Sequence, residues 1–237
     1  MKIALLGYGK MGKTIEAIAL QKGHTIALTI DLDNLHDLTK ENLQKADVAI
    51  EFTTPENAMN NILQCFDAGI PVVSGTTGWL ANLGKVKELC LAENGGFLYA
   101  SNFSIGVNIF FELNKKLASL MSKQEYAVTV EETHHTQKKD APSGTAITIA
   151  EQLLQQLPGK KQWVNHKSEK EDELPVISYR VDPAPGTHSV KYSSDVDDIE
   201  IIHTAHNRKG FASGAVMAAE FLKDKKGIFS MKDVLGI

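Results

Sequence analysis

The sequence predicts an α/β protein in which a parallel sheet covered by helices precedes a region of mixed sheet and helix. Continuous apolar runs alternate with amphipathic segments up to about residue 104, as in sheets that are buried on both faces. Small or hydroxylated residues end most of these runs, at the strand ends where α/β sheets bind ligands. From residue 126 onward apolar and polar residues alternate, which is typical of strands with one exposed face.

Composition restricts the class of protein. The chain has 237 residues, 43% of them hydrophobic, so it can form one large or two small domains. A formal net charge of −4 argues against a general nucleic-acid binder. Cys65 and Cys90, the two cysteines, lie in apolar segments, which indicates a reducing compartment rather than a disulfide framework. The N-terminal apolar run is too short for a signal peptide or a membrane span, so a cytoplasmic protein is expected.

The first element is a strand that leads directly into a glycine-rich loop. The apolar run 3–6 continues into the sequence GYGKMG, and an amphipathic segment then extends to a helix end near Gly23. A second apolar strand follows at 26–30 and is closed by Asp31. This order of strand, GxGxxG, helix, strand and acid is the context in which the glycine motif is specific.

Each residue type in this motif has a physical reason. Gly7 permits a tight turn, Gly9 lets backbone amides approach a pyrophosphate, and Gly12 lets the helix pack close to the strand. The helix N-terminus favours phosphates, and Asp31 can accept hydrogen bonds from the ribose hydroxyls of adenosine. The sequence therefore predicts a Rossmann-type dinucleotide-binding domain.

Three further strands extend the predicted sheet, at 47–52, 70–74 and 97–100. The second of them ends at the sequence GTTG and the third at Ser101-Asn102-Phe103. GTTG suits a cofactor loop, because a bulky side chain there would obstruct the cofactor. A solvated turn explains the same residues equally well.

The second region begins with one long helix, 105–121, and a strand at 126–130. The stretch HHTQKKDAPSGTA follows as a loop, and Ser143 within it is placed to cap the next helix. The segment 160–173 mixes lysines with acids and is interpreted as a solvated excursion.

Paired histidines and lysines just before a helix N-terminus indicate a receptor for a small anion with several charges. The first backbone N–H groups, at Gly144 and Thr145, favour a carboxylate or phosphate. The preceding loop carries His134, His135 and Lys138, which include two groups able to move a proton. On the residues alone, a solvated basic loop and a metal site with an incomplete ligand set remain alternatives.

The order of these motifs resembles the 4-hydroxy-tetrahydrodipicolinate reductase family of the lysine (diaminopimelate) pathway. The resemblance covers nearly the whole chain, and the stretch 134–146 is similar to the signature of that family. It implies a dinucleotide-binding domain formed by 1–104 with 209–237, and a substrate-binding and oligomerisation domain at 105–208. It also implies a homotetramer joined through sheets of the second domain.

The resemblance assigns roles to individual positions. His134 corresponds to the general acid/base and Lys138 to the proton donor, so both are expected to be catalytic. His135, Gly144 and Thr145 correspond to positions that bind the carboxylates of the substrate. The glycine motif and the resemblance together predict cofactor contacts at Gly7, Tyr8, Gly9, Lys10, Met11, Gly12, Asp31, Gly75, Thr76, Thr77, Ala100, Ser101, Asn102 and Phe103. No metal ligand is expected.

The chain departs from the family pattern at three places. The glycine loop is GYGKMG rather than GxGGRMG, which affects individual phosphate contacts. Gln137 replaces a histidine that some members carry, so that position is not expected to be essential to the chemistry. Asp182 replaces a glycine that is common two residues after Arg180, so the hairpin there is expected to differ in shape.

The leading hypothesis is an enzyme that reduces 4-hydroxy-tetrahydrodipicolinate (dihydrodipicolinate) to tetrahydrodipicolinate with NADH or NADPH. One alternative is a non-catalytic NAD(P)-binding redox regulator, which explains the N-terminal region but not HHTQKKDAPSGTA. Another is a different Rossmann dehydrogenase, such as an aspartate dehydrogenase. Neither a nucleic acid nor a membrane is expected as a partner.

Asp31 also predicts a modest preference for NADH. A carboxylate at that position hydrogen-bonds the ribose hydroxyls and repels the 2′-phosphate of NADPH, and no arginine follows it in Leu32-Asp33-Asn34. NADPH is expected to remain usable, because the other contacts are shared. Two hinges, near Ser104 and near Arg208, are expected to let the domains close over bound ligands.

Overall fold

The protein is described by a computed structural model that covers residues 1–207 and 209–237. Contacts divide these residues into two compact units. One unit is Met1–Ile105 together with Lys209–Ile237, and the other begins at Gly106 and takes in the described residues up to Asn207. The predicted hinge at Arg208 lies outside the described residues.

Strands and helices alternate through most of the chain. The strands are β1 (Lys2–Leu6), β2 (Thr25–Ile30), β3 (Val48–Glu51), β4 (Val72–Ser74), β5 (Gly96–Tyr99), β6 (Ala127–His134), β7 (Gln162–Val164), β8 (Glu173–Arg180), β9 (Gly186–Ser193), β10 (Asp198–Ala205) and β11 (Gly227–Phe229). The helices are α1 (Lys10–Gln21), α2 (Lys40–Leu43), α3 (Pro55–Asp67), α4 (Leu83–Ala92), α5 (Ile105–Met121), α6 (Gly144–Gln156), α7 (Lys209–Leu222) and α8 (Met231–Leu235). None of the described helices is long and apolar enough to cross a membrane.

The first unit is built on a parallel sheet with the strand order β11-β5-β4-β3-β1-β2. Its central strands are buried on both faces, and this explains their continuous apolar sequences. One apolar cluster packs α3 and α4 on one face, and a second packs α1 and α7 on the other. The predicted fold class, a Rossmann-like parallel sheet followed by a second, mixed sheet, is confirmed.

The chain reverses its direction of winding between β1 and β3, because β2 lies on the other side of β1. Such a switch point opens a crevice at the carboxyl ends of the strands. Two glycines make the turn after β1 possible. Gly7 has a φ of 95°, and a Cβ on it would lie 2.0 Å from the carbonyl oxygen of Phe52. A Cβ on Gly12 would lie 2.3 Å from the carbonyl oxygen of Gly7, so α1 packs against the loop only with glycine at that position.

The C-terminal segment completes the first unit. Small residues on α7 let it approach the sheet closely: a Cβ on Gly214 would lie 1.8 Å from the carbonyl oxygen of Phe103. After α7 the chain adds β11 in parallel beside β5, and α8 follows. Neither β11 nor α8 is predicted from the sequence, since both are very short.

The second unit contains a mixed sheet with the strand order β10-β9-β6-β8-β7. Here β6 runs parallel to β8 and antiparallel to β9. One face packs against α5 and α6 around an apolar core. The opposite face exposes large side chains such as Tyr179 (41%) and Ile202 (59%).

Two predictions in this unit were wrong. The strand β6 extends beyond 126–130 and ends at His134, which pairs with Arg180 of β8, so His134 lies on a strand and not on a loop. The segment 160–173 is not only a solvated excursion, because β7 within it pairs with β8. Both errors concern pairing with a strand far away in the chain, which local sequence patterns do not record.

Candidate active site

A cavity of about 360 Å³ opens at the carboxyl ends of β1, β2 and β3, where the winding reverses. It combines an apolar patch on one side with the polar side chains of α3 on the other. Four of the predicted cofactor residues, Gly7, Tyr8, Gly9 and Asp31, line it. Its other lining residues are Ile30, Leu32, Leu35, Leu38, Phe52, Thr53, Thr54, Asn57, Asn60, Asn61 and Gln64.

The glycine at position 9 has no structural reason within the protein. A Cβ there would meet nothing within 4 Å, in contrast to the crowding at Gly7 and Gly12. Gly9 is also the N-cap of α1 and makes no side-chain capping bond, so the amides of the first helical turn have no cap from it. Space and N–H donors at a helix start fit the pyrophosphate of a dinucleotide.

Asp31 is held in place at the edge of this cavity. It caps a short 3₁₀ turn, Leu32–Asp37, and one carboxylate oxygen accepts a hydrogen bond of 2.9 Å from the amide of Leu32. The Asn34 side chain in turn accepts from the Asp31 amide at 2.8 Å. No lysine or arginine is among the described residues that line the cavity.

The other predicted cofactor residues lie outside the lining of this cavity, either in the first turn of α1 or on the loops after β4 and β5. Lys10 is exposed and Met11 packs partly against the core. Thr77 is exposed, and Ala100, Ser101 and Asn102 follow β5 at the same edge of the sheet. Phe103 is 2% exposed and belongs to the core.

Packing explains why the first residue of GTTG, Gly75, is a glycine, and this was not predicted from the sequence. A Cβ on Gly75 would lie 2.2 Å from the ring of Phe52, so the residue is glycine to admit this ring. Clearance for a cofactor is not needed to explain it. The next residue, Thr76, is buried and donates a hydrogen bond of 2.7 Å to the carboxylate of Glu51.

Glu51 organises the loops that follow β3 and β4. It is fully buried and accepts hydrogen bonds from hydroxyl and amide donors: Ser74 Oγ at 2.6 Å, Thr76 Oγ1 at 2.7 Å, Thr53 N at 2.9 Å and Thr53 Oγ1 at 2.5 Å. The apolar run 48–50 that leads into Glu51 was the available signal, because an acid that continues a buried strand needs such partners.

A second buried carboxylate, Glu132, lies near the end of β6 in the other unit. Its Oε1 accepts from the Ser143 amide at 3.0 Å and from Arg180 Nη2 at 3.1 Å. Its Oε2 lies 3.1 Å from Nδ1 of His134 and 3.8 Å from Nε2 of His188. The approach of His134 is within ion-pair range but is not aligned as a hydrogen bond.

This surrounding changes the protonation behaviour of two residues. Burial alone would raise the pKa of the Glu132 carboxyl, but the His134 ring and donors including Ser143 outweigh burial and hold that pKa well below its usual range. Burial, together with the neighbouring His134, lowers the pKa of His188 to about 3. Glu132 is therefore a carboxylate and His188 a neutral imidazole near neutral pH.

The loop after β6 is held by contacts with β8 and with the turn that follows β8. Lys138 Nζ lies 2.8 Å from both carboxylate oxygens of Asp140. Arg180 donates to the carbonyl oxygens of Lys138, at 3.3 Å, and Asp140, at 2.6 Å. The carboxylate of Asp182 accepts from the amide of Thr136 at 3.0 Å and from its hydroxyl at 2.5 Å.

Two of the three predicted substrate-binding residues, Gly144 and Thr145, lie at the start of α6, whereas His135 directly follows β6. Ser143 is its N-cap and accepts from the Ala146 amide at 3.2 Å, as predicted from the sequence. Gly144 and Thr145 form the first turn, and a Cβ on Gly144 would meet nothing within 4 Å. The contact of Ser143 with Glu132 brings this helix start to the end of the strand that carries His134.

The geometry also permits one metal-like arrangement among the described residues. One donor atom each from Glu132, His134 and His188 lies within 4.8 Å of the others. These groups have other partners, because Arg180 and the Ser143 amide bind Glu132, and Ser143 Oγ lies 3.2 Å from Nε2 of His188. We therefore interpret the cluster as an ion-pair and hydrogen-bond network.

A parallel sheet with a glycine-lined cavity at its switch point is the architecture of the oxidoreductases that use a dinucleotide. Family comparison gives the same class. The family model described as dihydrodipicolinate reductase, N-terminus, matches residues 1–103, and the one described as dihydrodipicolinate reductase, C-terminus, matches residues 106–235. The chain belongs to the dihydrodipicolinate reductase family, and the predicted class of NAD(P)H-dependent oxidoreductase is confirmed with it.

Curated relatives agree along the whole chain. A 4-hydroxy-tetrahydrodipicolinate reductase of Christiangramia forsetii is 55% identical over 99% of this chain and 98% of its own length. A protein of the same name from Methanosarcina acetivorans is 34% identical over 99% of this chain and 89% of its own. The family prediction made from the motif order is confirmed.

Solved structures agree in fold. A dipicolinate-bound dihydrodipicolinate reductase from Paenisporosarcina sp. TG-14 matches with a TM-score of 0.76 over 97% of each chain, at 24% identity. An amine dehydrogenase from Mycobacterium smegmatis matches with a TM-score of 0.63 over 98% of this chain and 95% of its own, at 10% identity. At these identities the likeness extends to the fold alone.

Proposed function

We infer that the chain catalyses the reduction of 4-hydroxy-tetrahydrodipicolinate to tetrahydrodipicolinate with NAD(P)H, as a step of lysine and diaminopimelate biosynthesis. The relatives that bear this name match it along almost its full length. Within the molecule, the assignment rests on the surroundings of Glu132. His134, the Lys138 loop and the start of α6 come together there. A non-catalytic regulator has no need of that arrangement and is not favoured.

The cofactor is assigned to the cavity at the switch point. Gly7, Gly9 and the start of α1 hold the pyrophosphate, and Asp31 binds the adenosine ribose. The loops 75–77 and 100–103 are assigned to the nicotinamide half, because they leave the same edge of the sheet. NAD(P)H supplies a hydride when it is bound there.

The substrate is a cyclic dicarboxylate and is assigned to the start of α6. Gly144 and Thr145 present backbone amides to one carboxylate, where the helix dipole also favours negative charge. His135, which directly follows β6, is half-buried and is assigned to a carboxylate as well. The open space at Gly144 leaves room for a ligand atom against the backbone.

A proton must follow the hydride. Loss of the 4-hydroxyl group of the substrate as water gives a conjugated imine, and addition of hydride to it leaves an enamine, which becomes the product when it gains a proton. His134 and Lys138 are the two groups assigned to this step. Lys138 is 2.8 Å from both oxygens of Asp140, so its use as a donor requires that it leave this pair for the substrate.

We assign a modest preference for NADH to Asp31. Its carboxylate is fixed at the cavity edge by the Leu32 amide, and the described lining offers no cation to bind a 2′-phosphate. NADPH remains a usable cofactor, because the remaining contacts do not distinguish the two.

We also propose a homotetramer of identical chains in the cytoplasm. The open face of the mixed sheet presents Tyr179 and Ile202 beside charged residues such as Glu131 and Lys191, and a second copy of this face would cover them. The two cysteines are free and buried, which fits a reducing compartment.

The assignment is tested by following NADH absorbance at 340 nm with substrate formed in the cuvette by its synthase. We expect rapid oxidation of NADH with this substrate and none with L-aspartate or with oxaloacetate plus ammonia. Oxidation of NADH with oxaloacetate plus ammonia instead would identify an aspartate dehydrogenase. No turnover with any of them, while NADH still binds, would favour the regulator.

A further inference from the structure

We propose that Glu132 is a positioning residue for the reaction: its buried carboxylate fixes the ring of His134 with the proton on Nδ1, and together with Arg180 it holds the loop that carries Lys138. The proposal rests on the acid/base role proposed above for His134. Glu132 itself has no assigned contact with substrate or cofactor.

The position of Glu132 follows from the alternation of β6. Val128, Val130, Glu132 and His134 all point to the face that packs against the helices, and all four are buried. The two valines belong to the apolar core, and Glu132 brings a charge to the end of it. A buried ion costs several kcal/mol unless it is matched by donors. The burial of the Glu132 charge therefore depends on the donors that surround it.

The two carboxylate oxygens have different partners. Oε1 receives the Ser143 amide at 3.0 Å and Arg180 Nη2 at 3.1 Å, and so faces the start of α6 and the next strand. Oε2 is within 3.1 Å of His134 Nδ1. Among the described residues, neither Oε2 nor Nδ1 makes an aligned hydrogen bond, so the 3.1 Å approach between them is the contact through which each can be satisfied.

His188 does not compete with His134 for this carboxylate. It is farther away, 3.8 Å from Oε2, and the same Nε2 atom lies 3.2 Å from the hydroxyl of Ser143. Its pKa of about 3 keeps it neutral at the pH of the cytoplasm. The negative charge of Glu132 therefore acts on the ring of His134.

A carboxylate only accepts hydrogen bonds, and this selects the tautomer of the histidine. With Nδ1 facing Oε2, the proton of the neutral ring belongs on Nδ1, and Nε2 is the atom left to exchange a proton with substrate. The Nε2 side of the ring is bordered by Gly186, where a Cβ would lie 3.0 Å from Nε2. The missing side chain at this position keeps that nitrogen clear.

Arg180 extends the effect of Glu132 to the second proton-transfer group. The guanidinium that binds Oε1 also donates to the carbonyl oxygens of Lys138 at 3.3 Å, Asp140 at 2.6 Å and Tyr179 at 2.7 Å. Because these acceptors are main-chain atoms, Arg180 fixes the path of the loop and leaves the Lys138 side chain able to move. One buried ion pair thus supports both His134 and Lys138.

The substitution Glu132→Gln tests the proposal with almost no change in size. Its amide oxygen can still accept from Ser143 and Arg180, but its NH₂ group would face Nδ1 and favour the opposite tautomer. We expect kcat to fall about a hundredfold. The dissociation constants of NADH and of pyridine-2,6-dicarboxylate should change less than about threefold, since neither ligand is assigned to Glu132. Glu125→Gln removes the same charge at an exposed position and should leave kcat unchanged.

Tautomers are read from two-bond ¹⁵N–¹H correlation spectra of protein labelled in its histidine rings, with His134→Gln identifying the resonance. We expect the Nδ1–H form in the wild type and the Nε2–H form in Glu132→Gln. The double variant Glu132→Gln/His134→Gln should be no slower than His134→Gln alone, because both changes remove one function.

Two outcomes would overturn the proposal: Nε2–H at His134 in the wild type, or a kcat of Glu132→Gln within threefold of the wild type. The first is measured on the unaltered protein and so decides the matter even if the variant does not fold. Failure of the underlying assignment is distinguishable, because His134→Gln would then itself keep a near-normal kcat. If His134→Gln is inactive and Glu132→Gln is normal, the role of His134 stands and only the role of Glu132 is wrong.

Discussion

Each unit of the molecule contains a fully buried carboxylate, and the two have different kinds of partner. Glu51 in the parallel sheet is surrounded by the hydroxyls of Thr53, Ser74 and Thr76 and by a backbone amide. Glu132 in the mixed sheet is surrounded by two histidines and an arginine, with one backbone amide.

The difference in partners implies a difference in task. Hydroxyls and amides do not titrate between acid and neutral pH, so Glu51 fixes the shape of the loops that follow β3 and β4. Histidines gain and lose protons in that range, so the charge of Glu132 can determine where a proton resides. We therefore expect changes around Glu132 to reduce turnover, and changes around Glu51 to reduce stability.

The largest expected effect is on turnover in the second unit. His134→Gln and Lys138→Met should each lower kcat about a hundredfold or more, because each removes a group assigned to proton transfer. Binding of NADH, measured by fluorescence titration, should persist in both. Gln137→Ala, in the same loop and without an assigned role, is the matched control and should keep most of its activity. Near-normal kcat in both variants would contradict the assignment of proton transfer to this unit.

The corresponding change in the first unit should reduce stability instead. Glu51→Gln replaces a charged acceptor of several hydrogen bonds by an amide, half of which is a donor facing other donors. We expect the free energy of unfolding to fall by about 2 kcal/mol in urea titrations. At temperatures where the variant is folded, kcat should stay within about threefold of the wild type. Glu88→Gln, an exposed acid of α4, should change neither quantity, and a large loss of kcat in folded Glu51→Gln would remove the distinction between the two carboxylates.

The dependence of the unfolding free energy on pH tests the surroundings of Glu132, because His188 lies beside it. Burial lowers the pKa of His188 from 6.5 to about 3, so the unfolded chain binds a proton at this residue before the folded chain does. Stability should therefore fall as the pH drops below 6.5, by at most about 1.4 kcal/mol per pH unit and about 2 kcal/mol by pH 5. Glu132, whose folded pKa is depressed below 4.5, loses its contribution only at lower pH, so it does not act in this window.

The measurement is the difference in unfolding free energy between the wild type and His188→Gln at a series of pH values. Taking the difference removes the contribution of His203, whose pKa burial also lowers. The wild type should lose stability more steeply than the variant between pH 6.5 and pH 5. Parallel curves would show that His188 is protonated in the folded protein. The assignment of His188 as a neutral ring beside Glu132 would then be wrong.

The smallest expected effect is on the choice of cofactor. In the wild type kcat/KM should be higher with NADH than with NADPH, and Asp31→Ala should narrow or reverse the ratio by removing the repulsion of the 2′-phosphate. Asp33→Ala removes a neighbouring exposed acid that does not line the cavity, and should leave the ratio unchanged. A wild-type preference for NADPH of tenfold, about 1.4 kcal/mol, would contradict the assignment of Asp31.

The fold of the first unit could be predicted because its signals are local. The first two apolar runs, the GYGKMG loop and the acid that closes β2 all lie between residues 3 and 31. The end of β6 could not be predicted in the same way, because His134 is made part of the strand by pairing with Arg180, far along the chain.

Both buried carboxylates were missed, although each left a trace in the sequence. Glu51 continues a run of three apolar residues, and Glu132 falls in the buried phase of the alternation set by Val128 and Val130. The neighbouring Glu131 is exposed, so the pair of acids does not by itself mark Glu132 as buried. Arg180, which binds the buried carboxylate of Glu132, is 48 residues away in the chain. The ion pair therefore exists only in the tertiary structure.

The first unit is formed by both ends of the chain, so it can be completed only after the second unit has been synthesised. During synthesis the residues of the mixed-sheet unit all leave the ribosome before α7 does. Until then one face of the parallel sheet lacks Ala212, Ala215, Val216, Ala219 and Leu222, which belong to its apolar core. The unit that emerges first is therefore completed last, and one apolar face of its sheet stays uncovered in the nascent chain until α7 emerges.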